Sequence, residues 1–141
     1  MTFRQRIAAT TGLILLLIGA GALLPLIAKQ NEPREVLIAV RQMAFYLGED
    51  RSSPNPVIRV APGERIRLTL ISEDPGFDHN FVVGAWHLTT SMLHGEGTTS
   101  RVFQAPREPG TATYVCSLHE AMMKGTIVVA SSAKTAASSR H

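Results

Sequence analysis

Three kinds of metal donor lie within eight residues in YVCSLHEAMMKGTIVV, residues 114–129, and a β-branched run follows them. The donors are the thiolate of Cys116, the imidazole of His119 and the thioether of Met122 or Met123. Thiolate and thioether are soft ligands and imidazole is intermediate, so this set favours copper over magnesium, calcium or manganese. The segment therefore predicts a copper site followed directly by a strand.

A second histidine with a suitable setting is His79, in GFDHNFVV, residues 76–83. A trigonal His₂Cys site with a long axial Met is the blue-copper arrangement. Strand alternation places His79, Phe81 and Val83 on one face, and a histidine on such a face needs a proton acceptor or a metal. Because 37 residues separate His79 from Cys116, tertiary folding must assemble the site.

Short strands account for most of the chain after residue 35. Apolar alternation and β-branched runs predict strands at 35–45, 57–60, 65–71, 79–83, 98–103, 111–116 and 125–130. Pro-Gly pairs predict turns at Pro62-Gly63 and Pro109-Gly110. Residues 84–97 show too little periodicity for an assignment. About seven short strands with Gly/Pro turns indicate an antiparallel β-sandwich.

The motifs and their order resemble the cupredoxins, the small blue-copper proteins that include plastocyanin, pseudoazurin, amicyanin and halocyanin. That family shows a His-Asn pair at the end of one strand, then Tyr-x-Cys-x-x-His, and then Met-x-Gly before the last strand. The matching positions are His79, Asn80, Tyr114, Cys116, His119, Met123 and Gly125. The resemblance covers about residues 36–130 and implies an antiparallel Greek-key β-sandwich.

The resemblance also implies one type 1 copper per chain. Its ligands would be His79, Cys116, His119 and an axial Met123. Met122 is kept as the alternative axial ligand, because only the Met-x-Gly motif favours Met123 over it. Asn80 is expected to tie the two ligand-bearing segments together.

Several other residues are expected to have ordinary structural roles. His87 lies in the unassigned stretch, His94 precedes a glycine in a predicted loop, and His141 ends the chain. None of the three is expected to bind the metal. Tyr114 shares a strand face with Cys116 and is expected to pack in the core. Zinc is the rival metal, since Cys and His also bind it, but a thioether is a poor zinc ligand.

The N-terminal segment is apolar enough to span a membrane. Residues 7–28 rise about 33 Å as a helix, and a hydrocarbon core is about 30 Å thick. Arg4 and Arg6 favour a cytoplasmic N-terminus at 1–6 and export of the rest. A signal peptide cleaved near 20–22 is the alternative to a retained anchor. Residues 29–35 are expected to form a linker, and residues 131–141 a disordered tail.

The charge distribution argues against nucleic-acid binding. The net charge of +3 comes from the N-terminal flanks, since residues 30–141 carry eleven basic and eleven acidic side chains. No basic stripe with interleaved aromatics occurs. The lone Cys116 also excludes an internal disulfide, and a metal-bound thiolate gives a free thiol a role in an oxidising compartment.

These observations predict a one-electron carrier and not an enzyme, because four protein ligands leave no open position for a substrate. We expect a monomer in the periplasm or on the extracytoplasmic face, anchored by the N-terminal helix or secreted if that segment is cleaved. Its partners would be redox proteins. The alternative is a copper-binding or delivery module for a membrane or periplasmic cuproenzyme, and a third interpretation is an assembly or sensing module without copper.

Overall fold

The computed structural model describes residues 32–130, which form an all-β unit. The elements, in chain order, are β1 (Arg34–Arg41), β2 (Ala44–Leu47), β3 (Ile58–Val60), β4 (Arg65–Ser72), β5 (Asp78–His79), β6 (Val82–Val83), the 3₁₀ helix η1 (Gly84–Trp86), β7 (Leu88–Thr89), β8 (Leu93–His94), β9 (Gly97–Gln104), β10 (Gly110–Val115) and β11 (Lys124–Val129). The predicted N-terminal helix at 7–28 and the tail at 131–141 lie outside these residues. Within 32–130, no helix is both long and apolar enough to cross a membrane.

Two sheets enclose one core. The first has the strand order β2-β1-β4-β9, the second has the order β3-β11-β10-β6-β7, and β5 pairs separately with β8. Side chains from both sheets join in a single buried cluster, so the sheets pack face to face as a sandwich. The cluster includes Val36, Ile38, Leu68 and Leu70 from the first sheet and Val60, Tyr114 and Ile127 from the second. The all-β prediction is confirmed.

Two strand pairs differ from the predicted antiparallel arrangement. β1 pairs with β4 in parallel, and β11 pairs with β3 in parallel, whereas the other described pairs are antiparallel. After β2 the chain enters the second sheet as β3 and then returns to the first sheet as β4, beside β1 and in the same direction. Apolar alternation indicates which face of a strand is buried but not the direction of its neighbour.

The strand predicted at 35–45 is in fact a hairpin, β1–β2, with a turn at Gln42 and Met43. Both residues have a left-handed backbone conformation, with φ of 53° and 60°. Two consecutive left-handed residues are typical of a type I′ turn, which usually carries Asn-Gly. Here the turn is held from a distance, because the carboxylate of Asp74 accepts hydrogen bonds from the N–H groups of Gln42 (2.6 Å) and Met43 (3.0 Å). The local sequence therefore contains no turn signal.

The two predicted Pro-Gly turns have different outcomes. At Pro62-Gly63 the turn forms: Gly63 has φ of 67°, and Glu64 N donates to Ala61 O at 3.1 Å. This is the geometry that places glycine at the third position of a type II turn. At Pro109-Gly110 the glycine is already the first residue of β10. The chain bends earlier there, at residues 107–108.

The unassigned stretch 84–97 contains η1, β7, β8 and the start of β9. The first three are elements of two or three residues, too short to produce a readable period. β8 has a direct bearing on the site because it pairs with β5, where Leu93 lies opposite His79. β7 pairs with β6 at the edge of the second sheet.

An aromatic cluster in the core lies next to the cysteine segment. The ring of Tyr114 stacks on Phe81 with centroids 4.9 Å apart, and Phe45 contacts both rings edge-on at 5.5 Å. The Tyr114 hydroxyl donates to Pro56 O at 2.6 Å. Burial raises the pKa of Tyr114, so the hydroxyl stays protonated and remains a donor. Tyr114 therefore packs, as predicted.

The glycine of the Met-x-Gly motif makes room for this tyrosine. Gly125 lies opposite Tyr114 in the β10–β11 ladder. A Cβ atom at position 125 would come within 2.2 Å of Tyr114 Cζ and Oη. No side chain fits there unless the ring moves, and the ring is wedged between Phe45 and Phe81. The glycine is thus a packing requirement of the core.

We predict that Gly125→Ala lowers the free energy of unfolding by about 2 kcal/mol or more, the typical cost of overpacking a core. Urea denaturation of the copper-free protein measures the change. Gly110→Ala in the same hairpin is the matched control, because a Cβ there meets nothing within 4 Å. Equal losses of unfolding free energy in Gly125→Ala and Gly110→Ala would contradict the packing role of Gly125.

Candidate metal centre

The fold brings together the side chains of His79, Cys116 and His119. His79 is the last residue of β5, Cys116 directly follows β10, and His119 lies in the loop after it. The donor atoms of the three residues all lie within 4.8 Å of one another. His79 and Cys116 are fully buried, whereas His119 is half-buried. The three predicted ligands other than methionine therefore converge on one point.

The donor separations fit one metal ion. Cys116 Sγ lies 3.9 Å from His79 Nδ1 and 3.6 Å from His119 Nδ1. Sulfur at about 2.3 Å and nitrogen at about 2.0 Å from an ion, the lengths found in zinc proteins, are about 3.7 Å apart around a trigonal centre and about 3.5 Å apart around a tetrahedral one. Both imidazoles present the same nitrogen to the thiol. One thiolate and two imidazoles are the equatorial donors of a type 1 copper, so the site fits one such ion.

The loop after β10 is closed by its own backbone. Cys116 N donates to Met123 O at 3.0 Å, so the first and last residues of the loop pair with each other. Within the loop, His119 N donates to Cys116 O (3.1 Å), and Met123 N donates to His119 O (2.8 Å). These bonds fix the backbone of His119 relative to that of Cys116.

Asn80 joins the two segments that carry the donors. Its Oδ1 accepts hydrogen bonds from Ser117 N (2.9 Å) and Ser117 Oγ (3.1 Å). Asn80 follows His79 in the chain and Ser117 follows Cys116, so the contact holds the two ligands at a set distance. The structure thus shows the tie that the sequence predicts for this asparagine.

Burial controls the charge of His79. Desolvation lowers the pKa of His79, and the nearby His119 lowers it further, while the carboxylates of Asp74 and Asp78 oppose the shift. The ring therefore favours the neutral form, which is the form that binds a metal. Its Nε2 lies 3.3 Å from Asp74 Oδ2, but no described atom makes a well-aligned hydrogen bond to that nitrogen.

The chain is similar to several solved copper proteins, although no family model and no curated protein sequence matches it. Auracyanin A, a "blue" copper protein from the green thermophilic photosynthetic bacterium Chloroflexus aurantiacus, is 18% identical, covering 70% of this chain and 100% of that chain with a TM-score of 0.55. Auracyanin from the photosynthetic bacterium Roseiflexus castenholzii is 21% identical, covering 72% and 100% with a TM-score of 0.56. The auracyanins are cupredoxins. The chain has the cupredoxin fold.

A further match comes from the structure of a heme-copper terminal oxidase dimer, at 19% identity and a TM-score of 0.56. It covers 87% of this chain and 99% of that chain. The similarity to the auracyanins confirms the cupredoxin fold predicted from the His-Asn, Tyr-x-Cys-x-x-His and Met-x-Gly motifs.

Burial separates the two methionines that compete for the axial position of the cupredoxin site. Met123 is fully buried and belongs to the core cluster. The side chain of Met122 is 56% exposed, and the residue's carbonyl accepts a hydrogen bond from Asn55 Nδ2 at 2.9 Å. A metal enclosed by His79 and Cys116 calls for a buried thioether, which favours Met123.

Two residues that hold the site have no motif that identifies them in the sequence. Asn55 joins β2 to the ligand loop, because it accepts a hydrogen bond from Phe45 N and donates to Met122 O. Asp74 contacts His79 and holds the β1–β2 turn. Both come from predicted loops, where polar residues are common, so only their tertiary contacts distinguish them.

The histidines that were not expected to be ligands lie outside the donor cluster where the structure describes them. His87 is exposed and left-handed, with φ of 51°, and caps η1. His94 is exposed, and its Nδ1 lies 2.9 Å from Asp78 Oδ2. His141 lies outside the described residues.

Three exposed apolar residues lie close to His119, two of them in the same loop and one in contact with its ring. Leu118 is 57% exposed and Met122 is 56% exposed, and both belong to the ligand loop. Phe77 is 51% exposed, and its ring contacts the ring of His119 edge-on with centroids 6.5 Å apart. We call these three residues the His119 patch. Exposed groups of large apolar side chains are typical of interaction sites.

We predict that Met123→Leu retains copper and raises the reduction potential by about 60 mV, which is a tenfold change in the ratio of Cu(II) to Cu(I) affinity. Loss of a donor weakens Cu(II) binding more than Cu(I) binding. Met122→Leu is the matched control and should leave the potential unchanged. A spectroelectrochemical titration measures both, and a shift in the control variant alone would assign the axial position to Met122.

Proposed function

We propose that the protein is a type 1 copper protein that carries single electrons. The observation that supports this most directly is the convergence of His79 Nδ1, Cys116 Sγ and His119 Nδ1 within 4.8 Å of one another. This donor set, with a buried methionine in the same loop, suits copper better than any other common metal. When bound, copper would supply one-electron exchange between Cu(II) and Cu(I).

The protein's own residues would keep that exchange fast. Water is kept from the sulfur and from the His79 ring, since both side chains are fully buried. The hydrogen bonds of the ligand loop and the Asn80–Ser117 contact hold the donors in place through protein groups alone. A site that is already arranged needs little movement when the charge changes. This is the property that a carrier requires and that a chaperone does not.

The half-buried His119 would be the exit for the electron. It is the most exposed of the three donors, and Phe77 of the His119 patch contacts its ring. An apolar patch supports weak, short-lived docking, which suits a carrier that must release each partner. The near-neutral charge of residues 30–141 is consistent with docking that depends little on long-range steering.

The cellular location is part of the proposal. The apolar segment 7–28, with Arg4 and Arg6 before it, supports a membrane tether with the copper domain outside the cytoplasm. The partners would be redox proteins at the same membrane face. One protein of similar fold comes from a heme-copper terminal oxidase structure, so a membrane oxidase is the class of acceptor to test first.

Burial argues against the alternative of copper delivery. Hand-over of a metal requires that an acceptor reach the ligands one by one, and His79 and Cys116 have no exposed surface. Only His119 is within reach of an acceptor. Redox cycling with copper retained would support the carrier, whereas rapid transfer of Cu(I) to an acceptor protein would support delivery.

We predict that the purified full-length chain binds one Cu(II) and develops an intense visible band from thiolate-to-copper charge transfer. An absorption titration measures both the band and the stoichiometry. Cys116→Ala should abolish the band because it removes the sulfur. Gly110→Ala, which changes an exposed strand residue, is the control and should leave the band unchanged. Copper that binds without such a band would exclude Cys116 as a ligand and overturn the proposal.

We also predict that Leu118→Ser slows electron self-exchange between two copies of the protein about tenfold, since partial burial of a leucine contributes about 1.4 kcal/mol to docking. Line broadening in NMR spectra of mixed oxidation states measures the rate constant. Val102→Ser is the control, because Val102 is also exposed but lies on β9 in the other sheet. Equal effects of the two variants would remove the His119 patch as the docking surface.

A further inference from the structure

The outer edge of the His79 ring has one charged neighbour. Its inner nitrogen, Nδ1, faces Cys116 Sγ at 3.9 Å. Its outer nitrogen, Nε2, is fully buried and lies 3.3 Å from Oδ2 of Asp74. The Asp74 side chain is itself 11% exposed. No atom of residues 32–130 makes a well-aligned hydrogen bond to Nε2, so this carboxylate is the group that governs the electrostatics of that edge.

The carboxylate is held in position by the β1–β2 turn. Its Oδ1 accepts a hydrogen bond from Gln42 N at 2.6 Å, and its Oδ2 accepts one from Met43 N at 3.0 Å. The backbone N–H of Asp74 also lies 3.4 Å from Ser72 Oγ. With both oxygens bonded to neighbouring amides, the carboxylate is fixed in orientation and remains an acceptor. The same Oδ2 that accepts from Met43 faces His79.

This arrangement discriminates between the two neutral forms of the imidazole. If the proton is on Nε2, its positive hydrogen lies near the carboxylate, which is electrostatically favourable without the alignment of a hydrogen bond. If the proton is on Nδ1, the lone pair of Nε2 faces a negative oxygen at 3.3 Å, which is unfavourable. Neutral histidine carries one ring proton, and the group that faces one nitrogen decides which nitrogen is left for a metal.

We propose that Asp74 is a positioning residue that keeps the ring proton of His79 on Nε2 and so leaves Nδ1 free for copper. The inference rests on the proposed function for its meaning, but the proton position can be measured without copper. The β1–β2 turn takes part, because it aims the carboxylate. A turn at the far end of the first hairpin thus affects the donor strength of a ligand 36 residues further along the chain.

Two consequences follow for the loaded protein. A carboxylate next to the outer N–H makes an imidazole a stronger donor, and loss of such a partner typically costs about 10–100-fold in metal affinity. The negative charge also favours Cu(II) over Cu(I), because the oxidised site carries one more positive charge. Asp74 would therefore lower the reduction potential of the site.

The first experiment is NMR of the copper-free protein labelled with ¹⁵N at histidine. Long-range ¹H–¹⁵N correlations show which ring nitrogen of His79 carries the proton. We expect the proton on Nε2 in the wild-type protein. Asp74→Asn keeps one oxygen, which can still accept from Gln42 N, and replaces the oxygen that faces Met43 N and Nε2 with an amide NH₂ group, so the proton should move to Nδ1. A wild-type protein with the proton on Nδ1 would overturn the proposal without any variant.

The second experiment measures copper. Asp74→Asn should lose about 10–100-fold in Cu(II) affinity. If Cu(I) affinity falls about tenfold less than Cu(II) affinity, the reduction potential rises by about 59 mV. Asp78→Asn is the matched control, because it removes a charge next to the same histidine but from a carboxylate that pairs with His94. The proposal would be contradicted if Asp74→Asn and Asp78→Asn shifted the reduction potential equally and neither moved the ring proton of His79. Asp74 would then act only through its negative charge, as Asp78 does.

The Gln42→Gly variant distinguishes the proposed positioning role of Asp74 from a purely structural role in the turn. Gln42 is exposed and left-handed, so glycine favours the turn without the carboxylate. If Asp74→Asn moves the proton only by loosening the hairpin, the Gln42→Gly background should restore it to Nε2. We expect the proton to stay on Nδ1 in the double variant. An absent charge-transfer band in wild-type protein would overturn the proposed function but leave the NMR result standing.

Discussion

The hydrogen bonds from Ser117 to Asn80 Oδ1 are the interaction on which the donor set depends. The antiparallel β6–β10 pair places Val82 opposite Val115, so it brings the segment after His79 beside the segment before Cys116. That ladder ends before it reaches either donor, because His79 belongs to β5, which pairs with β8, and Cys116 follows β10. The Asn80 contact continues the link, because it joins the residue after His79 to the residue after Cys116.

Packing behind the donors makes this arrangement stiff. Tyr114 lies two residues before Cys116 and Phe81 two residues after His79, and the two rings stack on each other at 4.9 Å. Each ligand thus has an aromatic anchor on its own segment, and the anchors meet in the core. Gly125 contributes to this packing, because a residue without a side chain leaves the space that Tyr114 fills. Movement of either ligand would disturb a densely packed cluster, and dense cores resist such movement.

The sequence predicted the parts of the site that depend on residue chemistry and short spacing. His79, Cys116 and His119 stand out because thiol and imidazole have few other reasons to occur together in such a pattern, and the strands predicted at 57–60, 65–71, 98–103, 111–116 and 125–130 form within one residue of those bounds. The strand predicted at 79–83 is instead two short strands, β5 and β6, which belong to different sheets. The turn at 42–43 was missed because its stability comes from Asp74, which is remote in the chain. The parallel pairs were missed because alternation carries no direction, and residues 84–97 because their elements are too short for a period.

The two histidines of the centre have different surroundings, and this difference divides the work of the site. His79 is buried with its outer nitrogen against Asp74, so in the proposed carrier its surroundings would set donor strength and therefore reduction potential. His119 is half-buried near the exposed His119 patch, so its surroundings would set contact with other molecules. A change in the interior at Asp74 would then alter the driving force for electron transfer while the surface stays the same. A change in the His119 patch would alter the choice of partner while the potential stays the same. Separation of this kind would let one domain be adapted to a new partner without rebuilding its metal centre.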